Sequence, residues 1–347
     1  MARMSWAGSW GRLAVALAVL GAVLATPGRS YAEHGDYVLG TLGLLGAVQP
    51  PEGIYYQNIF SYYTANGEGN FEVPGSPTAP TRQQQLALRG SLSVFYDQNL
   101  LGVTTPFTIL GARYGAMIDI RFNQVHGSGN ASLDLRTLPF DTTEQSFSRS
   151  TSSTASFNIA DLYVEPMNFG WHLPQLDVLA TFGFFAPSGR YDSREAINNG
   201  LGRWAEMFGL GGVVYFNSAR SWSLSAMPRY LIHQSQQGLD VRVGDDVILE
   251  WGVGKTFRPA SWTPWVRQLD AGVVGYGQWQ VTNTTGSAWP SALHGVRSNI
   301  LAVGPEIAVT ASFARFFARW EIEYGIQNFP VGQAFLVGAT VAFDPFK

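Results

Sequence analysis

The sequence predicts an all-β protein: a transmembrane, antiparallel, up-and-down β-barrel of about 12 strands, with a range of roughly 10–14. Three observations lead to this prediction. Apolar and polar residues alternate over long runs, only 14% of residues are charged while 14% are aromatic, and no apolar run could cross a membrane as a helix. A closed barrel is the other backbone arrangement that satisfies its own hydrogen bonds in lipid.

The first 32 residues have the features of an export signal. Arg3 and Arg12 flank a short N-terminal region, an apolar run covers residues 13–25, and Ser30-Tyr31-Ala32 is a small-x-small cleavage pattern. The apolar run is too short for a transmembrane helix, which needs about 20 residues. We therefore expect a signal peptide over residues 1–32 that is removed after Ala32.

The composition excludes some classes of protein. Removing Arg3, Arg12 and Arg29 with the signal changes the formal net charge from −3 to −6, which gives no reason to expect nucleic acid as a partner. The chain has no cysteine, so an exported disulfide scaffold is excluded.

The mature chain divides into two predicted parts. Residues 33–53 include an apolar, glycine-rich stretch from Tyr37 to Val48, followed by Pro50-Pro51. This stretch is either a periplasmic lead-in or a small plug that enters the barrel. Residues 54–347 are predicted to form the barrel itself.

The strands are predicted from alternation with a period of two. Near the C-terminus, Phe316, Trp320 and Ile322 alternate with polar residues such as Arg319 and Glu321. A soluble sandwich shows the same pattern, but its strands average about 5–6 residues, whereas tilted membrane strands need about 9–11. The predicted strands are 54–65, 84–97, 108–122, 155–171, 175–187, 202–216, 220–234, 244–257, 264–282, 297–311, 314–327 and 332–343.

The predicted connections alternate between long loops and tight turns. Long polar loops are expected at 66–83, 123–154, 188–201 and 283–296, and tight turns at 172–174, 217–220 and 312–313. This alternation is typical of bacterial barrels with outer loops and periplasmic turns. The longest loop, 123–154, either folds inward to constrict the pore or forms a mobile outer loop.

The polar phase of the strands places many charged side chains in the predicted lumen. One interpretation is a set of salt bridges that fill the barrel, and the other is an acid-biased selectivity filter. Twelve strands predict a narrow or plugged passage rather than an open porin. The predicted lumen charges are Arg113, Asp119, Arg121, Asp161, Glu165, Asp177, Arg229, Glu250, Glu306, Arg315, Arg319, Glu321 and Glu323, with Arg89, Asp246 and Asp270 as further members.

No catalytic, cofactor-binding or metal-binding residue is predicted. The five histidines are scattered, none lies in a Gly-x-Ser-x-Gly context, and no phosphate-binding glycine pattern opens a helix. Most aromatic residues near strand ends are expected in interfacial girdles. Tyr63, Tyr163 and Tyr276 are in the inward phase and are the candidates for an aromatic lining.

Several short motifs, in this order and spacing, resemble one outer-membrane family. The motifs are 50–55 (PPEGIY), 110–115 (LGARYG), 161–166 (DLYVEP), 170–172 (GWH), 187–192 (PSGRYD), 222–225 (WSLS) with Tyr230, and 304–305 (GP). The chain resembles the transporter-like β-barrel family named for the MetA-pathway of phenol degradation. The resemblance extends from about residue 47 to 343. Two features depart from the family pattern: its Asp-Tyr-x-x-Gly turn is only approximated around Gly238 and Gly244, and the chain continues past Phe343 to Lys347.

The resemblance implies an outer-membrane barrel in a Gram-negative bacterium that takes up small hydrophobic or aromatic compounds. A structural or adhesive barrel without transport is the alternative, and a barrel lipid hydrolase is a third. The implied partners are outer-membrane lipid, a small-molecule solute and the barrel insertion machinery, for which Phe343 or Phe346 is the aromatic C-terminal signal.

Overall fold

The computed structural model describes residues 36–73, 82–137, 142–195, 197–258, 265–289, 295, 297–327 and 331–343. The predicted signal peptide and Phe346 lie outside these residues. Within them, no helix is long and apolar enough to cross a membrane.

Thirteen strand segments account for most of the described residues. In chain order they are β1 Gly53–Val73, β2 Arg82–Ile109, β3 Ala112–Thr137, β4 Thr142–Ile159, β5 Leu162–His172, β6 Leu176–Ala186, β7 Ala205–Tyr215, β8 Trp222–His233, β9 Asp246–Phe257, β10 Val266–Gln280, β11 Asn299–Ala311, β12 Ala314–Gln327 and β13 Val331–Phe343.

The segments form one closed antiparallel ring. Consecutive segments pair with each other except β4 and β5, and β1 also pairs with β13. Both β4 and β5 pair with β3, one after the other along its length, and only Ala160 and Asp161 separate them. They therefore occupy one position of the ring, and the predicted barrel of twelve strands is confirmed.

Alternating exposure along each strand distinguishes the two faces of the wall. On β12, Trp320 and Ile322 are 46% and 45% exposed, whereas Arg319 and Glu321 are 3% and 1% exposed. Apolar side chains thus face outward and polar ones face the lumen, which is the sense expected of a barrel in lipid.

One part of the outward face departs from this pattern. On β1 and β2, Asn58 donates to Asp97 at 2.7 Å, and Asn99 also donates to Asp97, at 3.1 Å. Tyr56 donates its hydroxyl to Asn99 at 2.7 Å. We call these four residues the outward polar cluster. Because its members bond to one another, the cluster satisfies much of its own hydrogen-bonding capacity.

Two of the predicted long loops are wrong, because the strands continue through them. β1 extends to Val73 and β2 begins at Arg82, while β3 and β4 pair from Phe122–Ile159 to Thr137–Thr142. Residues 123–154 are therefore mostly a paired hairpin, neither an inward constriction nor an unpaired loop. Hydroxyl and amide side chains bridge these strands, as at Ser91–Ser128 (2.7 Å), so pairing extends without apolar residues. Residues 138–141 lie outside the described residues.

The start of the predicted third strand also differs. Residues 110 and 111 form a tight turn between β2 and β3, with φ of 51° at Leu110 and 78° at Gly111, and Leu110 is 93% exposed. The predicted turns at 172–174, 217–220 and 312–313 coincide with connections between strands. We call this end of the barrel the short-turn end, and the end with residues 187–204, 234–245 and 281–298 the long-loop end.

Residues 36–50 lie inside the barrel, and we call them the inner segment. Leu44 and Ala47 are each 1% exposed. Leu42, Leu45 and Val48 pack with Ala47 against lumen-facing residues of β6, β7 and β8. The core of this protein is therefore built between its N-terminal segment and the inner face of the sheet.

Candidate functional site

The inner segment is anchored at the long-loop end by Asp36. One carboxylate oxygen lies 2.7 Å from Arg203 Nη2 and 3.1 Å from His233 Nε2, and all three side chains are 0% exposed. Arg203 precedes β7 and His233 ends β8. Arg121 on β3 donates to the Asp36 carbonyl at 2.6 Å.

The charge of Asp36 follows from these contacts. Burial raises the pKa of Asp36, but Arg203 and His233 together overcome this effect and lower the pKa to about 2. A lowered pKa means that the carboxylate stabilises the fold above its ordinary unfolded pKa, and that this contribution is lost as the pH falls through about 2. The Asp36 carboxylate is therefore charged at neutral pH.

Tyr37 forms the next contact along the inner segment. Its hydroxyl donates to Glu250 at 2.6 Å, and the guanidinium of Arg229 lies 4.6 Å from the centre of its ring. Arg229 and Glu250 also form an ion pair at 3.3 Å. Two predicted lumen charges are thus used to hold one side chain of the inner segment.

Arg319 and Glu306 hold the middle of the inner segment. Arg319 donates to Glu306 at 2.9 Å and to the carbonyl of Gly40, and the Leu44 N–H donates to Glu306 at 3.0 Å. Gly43 has φ of 68°, and a Cβ there would collide with the Arg319 guanidinium and the Glu306 carboxylate. A residue without a side chain is therefore needed at this position.

Leu44 occupies a patch of the wall that is formed by glycine. A Cβ on Gly252 would lie 3.0 Å from Leu44 Cα, and one on Gly254 or Gly272 would lie 2.8 Å or 2.7 Å from Leu44 Cδ2. These glycines, on β9 and β10, leave the space that Leu44 fills. These three glycines thus allow close packing of the wall against the inner segment.

Gln49 anchors the inner segment at the short-turn end. Its amide nitrogen donates to the Arg113 carbonyl at 3.1 Å and to the Asn168 side-chain oxygen at 2.9 Å. Arg113 itself pairs with Glu52 at 3.1 Å. The inner segment is therefore held at both ends and in the middle.

A cavity of about 750 Å³ lies beside the inner segment. It reaches the short-turn end at Pro51, Ser312 and Phe313, and none of its described lining residues lies in a long loop. Leu45 and Val48 of the inner segment contribute to one side of it. Its wall is formed by both apolar and polar residues, among them Leu100, Met117, Phe185 and Phe317, and Gln98, Asp119, Asn168 and Thr181.

Two other acidic residues of the predicted set, Asp161 and Asp177, hold a loop and a tyrosine. Asp161 accepts bonds from the Gly189 and Leu201 N–H groups, at 2.9 and 2.6 Å, and so fixes the loop after β6. Asp177 pairs with Arg220 at 3.0 Å and accepts from the Tyr215 hydroxyl at 2.8 Å.

The three predicted inward tyrosines all donate to carboxylates. Tyr163 donates to Glu165 at 2.7 Å, and Glu323 accepts from Tyr276 at 2.7 Å and from Tyr63 at 3.0 Å. Tyr163 also lines the cavity. The hydroxyl groups of these tyrosines are thus hydrogen-bonded to carboxylates of the barrel wall.

The remaining predicted lumen charges differ from one another in their partners and their exposure. Arg315 pairs with Asp270 at 2.7 Å, and Asp246 accepts from a glutamine of β10 at 2.7 Å. Glu321 is 1% exposed and lies against Gly40. Arg89 is on the extended part of β2 and is exposed, so it is not a lumen residue.

Sequence reasoning missed the anchor formed by Asp36, Arg203 and His233. Asp36 is separated from Arg203 by 167 positions, and neither local periodicity nor a motif relates them. Arg203 lies in a loop, where strand phase gives no direction. Among the residues that the structure describes, no group of three or more metal-ligating side chains could hold a metal ion.

Comparisons with known proteins identify a family and a fold. The sequence profile described as "Putative MetA-pathway of phenol degradation" matches residues 84–337. An outer membrane channel from Pseudomonas putida F1 superposes with a TM-score of 0.53 at 11% identity, covering 88% of this chain and 100% of that one. No curated protein matches the chain.

Two further solved barrels are similar more weakly. The transport unit of the Escherichia coli autotransporter AIDA-I has a TM-score of 0.45 at 8% identity, covering 92% of this chain and 99% of that one. A FadL homologue from Pseudomonas aeruginosa has a TM-score of 0.40 at 11% identity, covering 92% and 98%.

Proposed function

Because the chain belongs to the family described as the MetA-pathway of phenol degradation, we propose that it is an outer-membrane channel for uptake of small hydrophobic or aromatic compounds. The structure most similar in TM-score among those compared above is an outer membrane channel, which supports the barrel fold. Membership of the family supports the link to aromatic compounds.

The observation that carries this proposal is the cavity beside the inner segment. Its volume of about 750 Å³ lies within the range of about 300–1,000 Å³ that small-molecule sites occupy. Much of its wall is apolar, which favours a solute with an apolar body over a simple ion.

The inner segment is proposed to act as the plug of this channel. With the long-loop end outside the cell and the short-turn end in the periplasm, Asp36 closes the outer part of the lumen and the cavity opens toward the periplasm. A solute that arrives from outside must therefore pass the inner segment. Transport then requires local displacement of this segment rather than diffusion through an open pore.

A catalytic role has no support in the described contacts, and we infer that the barrel is not an enzyme. His233 is fully buried against Asp36, where no substrate has access. His172 Nδ1 lies 3.0 Å from Asp177, but within the described residues no hydroxyl is hydrogen-bonded to His172 Nε2, where the nucleophile of a triad would lie.

Location can be tested directly. The mature protein, folded by the barrel insertion machinery and surrounded by outer-membrane lipid, should be recovered in the outer-membrane fraction and should migrate faster in gels when it is not heated. Recovery as a soluble periplasmic protein would exclude the membrane barrel.

Uptake can be tested by filling the cavity. Thr340 on β13 lines the cavity, whereas its neighbour Val341 lies in the opposite phase of the strand. Thr340→Trp should reduce the initial rate of uptake of labelled phenol or toluene by intact cells. Val341→Trp is the matched control and should leave the rate unchanged, because tryptophan is favoured at the membrane interface. Equal uptake by wild-type cells and cells without the protein would refute the channel.

The plug can be tested with two glycines that share a backbone conformation. Gly43 and Gly111 both have positive φ, 68° and 78°, but a Cβ on Gly111 meets nothing within 4 Å. Gly43→Ala should displace the inner segment and raise single-channel conductance in planar bilayers, whereas Gly111→Ala should not. Equal conductance of the two variants would argue against a plug.

A further inference from the structure

Two polar side chains of the cavity wall have atoms without a partner. Gln98 on β2 is 2% exposed and Asp119 on β3 is 5% exposed, and both line the cavity. Gln98 Nε2 and Asp119 Oδ1 have no hydrogen-bond partner within the described part of the chain. Burying such atoms unpaired costs free energy, so their position on the cavity wall requires an explanation.

Arg121 does not complete the bonding of Asp119. Its nearest approach to the carboxylate is 3.8 Å, from Nε to Oδ2. The guanidinium donates instead to the carbonyls of Asp161, at 3.0 and 2.6 Å, and of Asp36, at 2.6 Å. The arginine thus holds the inner segment and the residue before β5, and Asp119 Oδ1, a buried atom of a residue that lines the cavity, has no partner within the described part of the chain.

The two polar atoms are set between apolar side chains. Gln98 pairs in register with Ile59, and Asp119 pairs with Leu100. Leu100 packs against the cluster that contains Ile59, and Met117, two residues before Asp119, packs against the cluster that contains Tyr163 and Phe185. A solute beside Gln98 and Asp119 would therefore meet apolar surface on two sides.

The register places a donor and an acceptor at neighbouring positions on one face of the sheet. Gln98 is opposite Arg121 and Asp119 is opposite Leu100, so Gln98 and Asp119 are diagonal neighbours on the same face, about 7–8 Å apart. An atom between them must accept from the Gln98 amide and donate to the Asp119 carboxylate. A hydroxyl does both, whereas a solute carboxylate would be repelled by Asp119 and a solute ammonium has no acceptor for Gln98.

We propose that Gln98 and Asp119 form a subsite for the hydroxyl group of a small aromatic or amphipathic solute, so that the cavity selects hydroxylated compounds over hydrocarbons. The inference rests on the proposed channel function and specifies its substrate class. A hydrocarbon in the cavity leaves both polar atoms unpaired, and a site with unpaired buried polar groups discriminates against the compound that cannot pair them.

Three ligands of similar size test the subsite with the purified full-length protein in detergent, by titration calorimetry. Phenol carries a hydroxyl, anisole has an oxygen that accepts but does not donate, and toluene has neither function. The measured quantity is the ratio of the toluene Kd to the phenol Kd in each variant. Hydrogen bonds to a charged group are expected to contribute about tenfold to a hundredfold to this ratio.

Substitution of either partner should reduce this ratio. Gln98→Leu and Asp119→Asn should each lower it by about tenfold, and anisole should bind wild type more like toluene than like phenol. Gln333→Leu, at an exposed residue of β13 that is not part of the cavity lining, is the matched control and should leave the ratio unchanged. The anisole comparison needs only wild type, so it holds even if a variant does not fold.

The outcomes separate this inference from the channel proposal. An equal ratio in wild type, Gln98→Leu and Asp119→Asn, with anisole binding wild type as phenol does, would overturn the subsite while uptake by cells still supports the channel. Absence of binding of all three ligands, together with no protein-dependent uptake, would overturn both.

Discussion

Inward and outward side chains alternate along the strands on both sides of the barrel, but the inward side chains of the two sides make different contacts. The wall formed by β6 to β12, which we call the filled wall, is joined to the inner segment by ion pairs and by the glycine patch that receives Leu44. The wall formed by β13, β1, β2 and β3, which we call the cavity wall, lines one side of the cavity, and residues of β6, β8, β11 and β12 line other parts of it.

The outward faces of the two walls differ as well. The outward residues of the filled wall include the exposed apolar residues Val273 and Trp320, whereas the cavity wall carries the outward polar cluster around Asp97. Buried polar groups that are fully paired contribute to a rigid structure, and those left unpaired cost stability. Unpaired buried atoms occur on both walls, for example at Glu250 on the filled wall and Gln98 on the cavity wall. The contacts of the inner segment therefore distinguish the two walls, and we expect the filled wall to contribute more to stability.

The largest expected effect comes from breaking the anchor on the filled wall. Arg203→Ala leaves the fully buried Asp36 carboxylate with His233 alone, and removal of one partner of a buried pair costs about 3–5 kcal/mol. Denaturant unfolding in detergent, followed by tryptophan fluorescence, measures this loss. Arg194→Ala is the matched control: it breaks an ion pair with Asp192 in which the arginine is 88% exposed, and surface pairs contribute about 0–1 kcal/mol. Similar losses in both variants would contradict the role of the anchor.

A smaller effect is expected on the outward faces. Val273→Arg places a charge toward lipid on the filled wall, where it should reduce the free energy of unfolding by about 2–4 kcal/mol if the residue lies near the bilayer midplane. Ile120→Arg on the cavity wall should cost less, because Ile120 is opposite Asn99 and close to Asp97. Thr310→Arg faces the lumen and should be mildest. Equal costs at the three positions would show that the assignment of faces is wrong.

Local periodicity was sufficient to predict the fold, and it failed where contacts are distant in sequence. Alternation predicted the twelve strands and the inward phase of Arg319, because side-chain direction depends only on adjacent residues. It could not reveal that Arg319 binds the carbonyl of Gly40, 279 positions away. Alternation also did not predict the position of Asp97, an acid on the outward face. Asp97 is stabilised there by hydrogen bonds from Asn58 on β1 and Asn99 on β2, and local periodicity does not reveal a contact between two strands.

The strand extensions were missed for another reason. Ser, Thr and Asn are typical of loops because they bond to nearby backbone, and residues 123–154 are rich in them. In the structure these side chains bond across the hairpin, as Asn130 does with Ser150 at 2.9 Å. Composition alone therefore does not distinguish a polar loop from a polar hairpin.

Arg319→Ala tests whether a lumen charge of the filled wall is structural or selective. The variant loses the hydrogen bonds that Arg319 donates to Glu306 and to the Gly40 carbonyl. Glu306 still accepts the hydrogen bond from the Leu44 N–H and still lies 3.8 Å from Arg315. We expect a loss of about 1.5–3 kcal/mol in the free energy of unfolding, the usual contribution of hydrogen bonds to charged groups. Conductance in planar bilayers should rise as the inner segment loosens. Normal stability with altered ion preference would instead indicate a selectivity filter, and no change in either would mean that the side chain is solvated.

The smallest effect is expected from a single methyl group added on each wall. Gly254→Ala on the filled wall would place a Cβ 2.8 Å from Leu44 Cδ2, whereas Gly102→Ala on the cavity wall would place one 3.4 Å from the Met117 Cβ, an ordinary contact. Overpacking a filled region costs about 1–3 kcal/mol, and the flexible end of Leu44 can move, so we expect about 1 kcal/mol for Gly254→Ala and less for Gly102→Ala. Unfolding measured under identical detergent conditions gives both values. Because both changes replace strand glycine by alanine, their backbone effects are similar, and the difference reports the packing of the inner segment. A larger loss for Gly102→Ala would mean that the cavity wall is the more tightly packed of the two, and the contrast between filled and open sides would have to be reversed.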